Sequence, residues 1–385
     1  MPPDIRYPCE YIPEVGAERV IRPDTTSIAA FVAPFDRGPL LGPVVLRDWS
    51  DFERIFGGLA KDNAASYAVM QFYENGGKKA VVVRIEAAND GNALRSYEAG
   101  LLALEDHDFN LLCLPVGAGG DVSPEIHALA VGFCEKKQAF YIADAPHAWL
   151  LADDPVAMAI REEDALLEAS PNAALYFPWF SAPDPLADGR PRDFAPSGAI
   201  AGVFARTVSD RGVWATPAGA AAGLTRSTGP SIVLSDHKQG LLNPLAVNCL
   251  RRSQRRTYVW GARTRAGRDG LASEWKYVSV RRLFLFIERS VARGLDWAVF
   301  EPNDERLWAA VRLSVQRFLE DLFRQGAFQG SAQDDAFFVR CDRTTMTQAD
   351  LDDGRLIVTI GAAPLRPAEF VVVSVRKLVR PGDDR

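Results

Sequence analysis

The chain has 385 residues, 48% apolar and 24% charged, a globular composition that excludes long disorder. Its 44 basic and 50 acidic side chains give a net charge of −6, so a chain-wide basic field for nucleic acid is absent. No run reaches the roughly 18 apolar residues of a membrane span, and residues 1–10 lack the apolar stretch of a secretory signal, so a cytoplasmic protein without direct membrane insertion is expected.

Residues 1–24 are punctuated by Pro2, Pro3, Pro8, Pro13 and Pro23 and show no helical periodicity. Within them Val15, Ala17, Arg19 and Ile21 would share one strand face, with no hairpin partner beside them. Strand-like runs follow at 27–33, 44–47, 80–85, 110–115, 139–143 and 174–177. Helical runs lie between them at 64–75, ended by Gly76 and Gly77, at 123–137, with Ser123 as N-cap before Pro124, and at 155–169. This alternation predicts an α/β layered domain with a largely parallel sheet. Residues 178–245 are richer in Pro, Gly and Ala, with a helix at 196–208.

Beyond residue 250 the spacing predicts strands at 257–262 and 297–300 and a helix at 280–293. A long helix is predicted at 304–325, with Asn303 as N-cap and Gly326 just past its end. Its Leu307, Val311, Val315, Phe318 and Leu322 recur at helical spacing. Strands at 337–340 and 356–360 complete a β-α-β-α-β-β unit. After Pro364 and Pro367, Phe370, Val371, Val372, Val373 and Val375 lie in a strand-like run. Such a strand either closes its own domain's sheet or pairs with another chain. The expected organisation is mixed α/β. An extended arm over 1–24 precedes an α/β region over 25–250, a second layered domain over 251–363 and a strand arm over 364–385.

Chemistry-bearing patterns are few. His107, His127, His147 and His237 are scattered, and Cys9, Cys113, Cys134, Cys249 and Cys341 stand apart from one another. Neither HExxH nor GxSxG occurs, so no catalytic, metal or cofactor site is expected. The run of Gly117, Gly119 and Gly120 follows a strand and precedes a helix, whose N-terminus could seat a phosphate. It lacks the Walker lysine and the GxGxxG spacing, and it carries the alternative reading, a soluble α/β enzyme or nucleotide-binding protein. Asp350, Asp352 and Asp353 form an acidic cluster without EF-hand spacing. Arg251, Arg252, Arg255 and Arg256 form a basic tetrad better suited to a protein contact than to nucleic acid. From residue 251 onward 22 Arg and 2 Lys face 18 acidic residues, net +6, whereas the first 250 residues hold 20 basic against 32 acidic, net −12. Opposite-signed halves favour head-to-tail association between copies.

Several segments, in order, resemble the contractile tail sheath family of phages, tailocins and extracellular injection particles. They are Pro23-Asp-Thr-Thr-Ser27, Asp51-Phe-Glu-Arg-Ile-Phe-Gly57, Ser66-Tyr-Ala-Val-Met-Gln-Phe-Tyr-Glu-Asn-Gly-Gly77, Pro196-Ser-Gly-Ala-Ile-Ala-Gly202, Leu242-Asn-Pro244, Trp260-Gly-Ala-Arg-Thr264, Trp275-Lys-Tyr-Val-Ser-Val-Arg-Arg282, Phe300-Glu-Pro-Asn-Asp304 and Phe338-Val-Arg-Cys-Asp342. Residues 145–195 and 209–235 match least. The resemblance implies a non-enzymatic structural subunit that polymerises helically around an inner tube, with an outer domain toward solvent and a C-terminal domain near the tube. Contraction of such a coat drives the tube through a target envelope. The implied partners are other copies or paralogues of the sheath, the tube protein, and baseplate and tail-terminator proteins. Assembly would take place in the cytoplasm, as part of a phage tail or of a tail-like particle that can be released. In this family both terminal arms add strands to neighbouring subunits. That implies pairing roles for Val15, Ala17, Arg19, Ile21, Phe370, Val371, Val372, Val373 and Val375, and a tube-facing role for Asp350, Asp352 and Asp353.

Overall fold

The computed structural model describes residues 19–87, 92–117, 120–253, 256–299 and 301–366. Its first strands are β1 (Ala29–Ala33) and β2 (Val44–Leu46), followed by helices α1 (Trp49–Phe56) and α2 (Ala64–Glu74). Next come β3 (Ala80–Arg84), α3 (Ala93–Leu102), β4 (Leu111–Cys113), α4 (Pro124–Lys136) and β5 (Phe140–Asp144). The chain continues through α5 (His147–Leu151), α6 (Pro155–Leu166), β6 (Ala173–Phe177), β7 (Phe180–Pro183), β8 (Pro191–Phe194) and α7 (Ser197–Arg211). After β9 (Gly229–Pro230) and α8 (Asp236–Leu242), β10 (Val247–Ser253) and β11 (Arg256–Val259) close the large body.

Eight of these strands form one sheet in the order β11-β10-β6-β5-β4-β1-β3-β2. The interior pairings are parallel, and both edges end in antiparallel strands, β2 on β3 and β11 on β10. Period-two alternation sorts the side chains onto two buried faces. Phe31, Val82, Cys113, Ile142 and Tyr176 pack toward α1, α2 and α7. Val32, Val83, Leu112, Tyr141 and Leu175 pack toward α3, α4 and α6. The β7–β8 hairpin and β9 form a separate three-stranded sheet.

Helices α2 and α7 cross at near backbone contact, which the sequence permits by glycine. A Cβ on Gly198 would stand 2.2 Å from the Ala68 carbonyl oxygen, and one on Gly202 would stand 2.4 Å from that of Phe72. Only hydrogen fits at either position. Gly57, at φ +91, ends α1 by taking the left-handed conformation.

The C-terminal body is smaller. It contains α9 (Val278–Gly294), α10 (Glu305–Arg324), α11 (Gln333–Ala336), β12 (Phe337–Arg340), α12 (Gln348–Asp352) and β13 (Thr359–Ala362). Strands β12 and β13 form a two-stranded antiparallel sheet. Leu283, Ile287, Val311, Val315, Phe318, Leu322 and Val339 share its core.

Several expected details differ. The strand expected at 257–262 is β11 of the large sheet, so the expected division at 250/251 falls inside β10. In place of a strand at 297–300, Asp296–Ala298 is one turn of 3-10 helix; there Arg19 stacks on Trp297 and Ala298 N–H closes back on the Leu295 carbonyl. The second unit is therefore two helices on a hairpin rather than β-α-β-α-β-β. The N-cap of α10 is Asp304, whose carboxylate accepts from the Arg306 and Leu307 N–H groups, each at 3.0 Å. Asn303 instead accepts from the Trp308 indole at 2.8 Å and donates to the Arg355 carbonyl.

Candidate inter-subunit surfaces

The two bodies are bolted together where the N-terminal arm enters the fold. The Asp24 side chain is buried and receives Arg289 and Arg293, each at 2.7 Å. Arg289 also donates to the Phe109 carbonyl at 2.9 Å, and Arg282 donates to the Thr26 carbonyl at 2.6 Å. Burial pushes the Arg282 guanidinium down to about 10, and it stacks on Phe204. These arginines all lie on α9 and reach into the large body.

The link between the bodies, residues 260–277, is equally pinned. Arg265 is fully buried; it donates to the Leu167, Leu245 and Glu163 carbonyls and forms an ion pair with the Glu163 carboxylate. Arg263 donates to the Asn243 carbonyl and to Asp269, while the Asn248 amide bonds both its N–H and its carbonyl. An arginine with five donors satisfies several buried carbonyls at once, which a lysine could not do.

Of the residues expected to pair between subunits, Arg19 and Ile21 lie within the described part. Arg19 sits 3.8 Å over the Trp297 ring and reaches Glu301 at 3.4 Å. Ile21 is buried in the C-terminal core, against Gly294. Val15, Ala17, Phe370, Val371, Val372, Val373 and Val375 lie outside the described residues. At the other end, Ala363 N–H donates to the Ala336 carbonyl and Gln329 N–H to the Ala363 carbonyl, each at 2.8 Å, which lays the chain beside the β12–β13 hairpin. Both arms are thus rooted on the C-terminal body.

The acidic cluster is a locally bonded turn. Thr347 and Asp350 form a capping box at the start of α12. Arg355 pairs with Asp350 at 3.2 Å and Asp353 at 2.9 Å, and Gln348 donates to Asp352. The Thr347 hydroxyl, more than Arg355, holds the Asp350 carboxyl below its usual range. Among the described residues no group of three or more His, Cys, Asp or Glu is placed to hold a metal ion.

The two ends of the glycine-rich loop are held close together. Gly117 bridges to Gly120, and a Cβ on Gly117 would meet that of Ala64 at 2.9 Å. The cavity beside it, lined by Ala64, Gln71, Val116, Trp179 and Phe194, measures about 20 Å³. A nucleotide needs hundreds of cubic ångströms. Deeper in, Asp144 accepts from the Ser197 N–H at 2.6 Å and the Ser197 hydroxyl at 2.5 Å. Burial pushes its carboxyl up to about 7 against those hydrogen bonds. It ties β5 to the start of α7. Sequence reasoning missed it, as it missed Arg263 and Arg265 as buried staples, because nothing local marks a charged residue as interior.

The family model for the phage tail sheath protein central domain matches residues 91–265, and that for the phage tail sheath C-terminal domain matches residues 272–376. The helical sheath of the anti-feeding prophage in its contracted state is 30% identical, with 96% of this chain and 98% of that one covered and a TM-score of 0.75. The chain belongs to the phage tail sheath family. The contracted PVC sheath complex of an extracellular contractile injection system is 28% identical over 97% of this chain and 98% of that one, at a TM-score of 0.78. A sheath tail protein from Listeria innocua, 11% identical over 90% of this chain and 97% of that one, shares the fold at a TM-score of 0.61. No curated protein sequence matches. The chain is a structural subunit of a contractile sheath, and the enzyme alternative finds no support.

Proposed function

We propose that this sheath subunit polymerises helically around an inner tube and that its contraction drives the tube through a target envelope, with subunits tethered by exchanged arm strands. The observation that carries the tethering is the β12–β13 hairpin. It has two strands among the described residues; the C-terminal arm leaves from beside it, and the N-terminal arm is rooted in the same apolar core through Ile21. Helix α10 packs on this pair, and strands added from neighbours extend its ladder. Phe370, Val371, Val372, Val373 and Val375 form one donated strand. Val15, Ala17, Arg19 and Ile21 form the other, with Ile21 as its root.

Main-chain tethers hold while rigid bodies slide from extended to contracted packing. The work of contraction comes from changed contacts and needs no catalytic group, so the chain acts without enzymatic activity. The acidic turn at Asp350, Asp352 and Asp353 is assigned to the tube side. Baseplate and tail-terminator proteins cap the polymer. Assembly takes place in the cytoplasm, and the finished particle is released. Among the described residues no helix is long and apolar enough to cross a membrane.

Removing residues 369–385 tests the tether. The truncated chain should stay folded and soluble by circular dichroism and form no tubes or rings by negative-stain electron microscopy. A truncated chain that polymerises like the full one would sink the exchange.

A further inference from the structure

The two ends of the eight-stranded sheet carry surfaces of complementary character. At the β2 end, residues 39–45 form an apolar tip on which Leu40, Leu41 and Val45 are 47%, 43% and 47% exposed. This tip is held rigidly. Leu41 N–H donates to the Arg84 carbonyl at 2.9 Å, and the Arg84 guanidinium donates to the Gly38 carbonyl at 2.9 Å. Leu41 itself sits at φ +51, a left-handed conformation that costs a β-carbon-bearing residue strain. The fold thus holds a leucine in a strained conformation with its side chain out in water.

At the opposite end, beside β10 and β11, lies an open groove of about 690 Å³ lined by Gln239, Asn243, Trp260 and Tyr277 among others. Trp260 is 42% exposed, and Leu241 and Leu271, close in sequence to lining residues, are 44% and 50% exposed. Arg251 lies over the Trp260 ring and bonds Asp236 at 2.5 Å, which holds that wall in place. The Asp236 side chain is 86% exposed on the groove, and the Arg47 side chain, which pairs with Asp51 at 3.2 Å, is still 81% exposed beside the tip.

We propose that the 39–45 tip of one copy seats in the Trp260 groove of the next. The occupant is a second copy because the contact joins opposite ends of one sheet, so it is heterologous and propagates, as an open helical coat requires. Leu40 and Leu41 cover the exposed Trp260 face, and Arg47 meets Asp236 at the rim. This second, side-chain contact rests on the sheath reading and lies apart from the exchanged arms.

Disulfide trapping tests it. Seven strand spacings of about 4.8 Å put the two sheet ends about 34 Å apart within one chain, so an L41C/Q239C variant can close a disulfide only between copies. The four cysteines described are buried, and C9S removes the fifth. Sheaths of the triple variant, assembled on the tube protein and oxidised, should run as a ladder of dimers, trimers and higher species on a non-reducing gel. Sheaths visible by electron microscopy with no ladder, or cross-linked only to a different protein, overturn the groove contact and leave the sheath reading standing. L41D should stay folded by circular dichroism and lower the assembled fraction at least tenfold; assembly at the wild-type level overturns the contact. A wild-type chain that forms no sheath on its tube protein overturns the sheath reading, and the groove contact falls with it.

Discussion

In the large body both sheet faces are covered by helices and both edges end in antiparallel strands. In the C-terminal body two helices lie on a hairpin of two strands. The first also buries charged and polar groups, Asp144, Glu163, Arg263, Arg265 and Asn248, each held by partners on other elements. In the second body the buried polar groups Arg282, Arg289 and Ser290 lie on α9, which faces the first, and Ser314 lies on α10. Buried hydrogen-bonded ions fix geometry more than they add net stability. An apolar core under an unfinished sheet leaves edges for other chains. The large body is therefore built to keep its shape, and the small one to be completed by neighbours.

The strongest way to break that comparison is at Arg265. Replacing it with alanine leaves Glu163 interior with Arg268 alone, at 2.9 Å. Removing one partner of a buried pair costs about 3–5 kcal/mol, and the remaining Arg268 contact places Arg265→Ala near about 3 kcal/mol. Urea unfolding measures the loss, and Glu163→Ala in the same chain should recover part of it through coupling. Loss below about 0.5 kcal/mol, the range of an ordinary surface change, would mean that the staple does not fix the large body.

Asp144 sharpens the same side by pH. Its folded carboxyl is raised by burial to about 7 from 3.8. Its stabilising contribution is therefore full below about 4 and is lost as pH rises through 7, because the unfolded chain ionises first. His127 works oppositely. Burial lowers it to about 4 from 6.5, so its contribution is present above 6.5 and lost as pH falls through 4. The stability difference between wild type and Asp144→Asn isolates the carboxyl, since His127 is common to both. That difference should fall by a few kcal/mol between pH 4 and pH 8, because a tenfold change in proton affinity is worth about 1.4 kcal/mol. A flat difference across that range would show that the Ser197 hydrogen bonds outweigh burial.

How much of this was legible in the sequence follows from which signals are local. Continuous apolar runs gave β1, β3, β4, β5 and β6, because a strand buried on both faces has few polar residues to interrupt it. Strand β10 was not read, since Asn248 lies in its middle and Arg251 and Arg252 near its end. Asn248 is tolerated there because its amide is consumed by Arg263. Tertiary context also turned Trp297 from strand to turn. The arms could be read only as strand-like runs without partners, and their anchorage through Asp24 and α9 could not be read at all, because Arg289 stands 265 residues away from Asp24. The Trp260 groove was invisible for the same reason: its walls come from separated segments around 216–219, 236–244, 251 and 260–277.

The smallest effect separates coupled from independent bodies. Asp304→Ala removes the acceptor for two N–H groups at the start of α10, a loss of about 1 kcal/mol. Asp304→Asn keeps an acceptor there and should stay within a few tenths of a kcal/mol of wild type. Because Arg282 and Arg289 anchor α9 in the large body, calorimetry should show one transition, shifted down as a whole by roughly 1 °C for a chain of this length. If the small body melted alone, a separate lower transition would take the entire shift and the upper one would stay fixed. That outcome would locate the compliance of the subunit at the junction between bodies. A single shifted transition places it in the arms, where neighbouring copies meet.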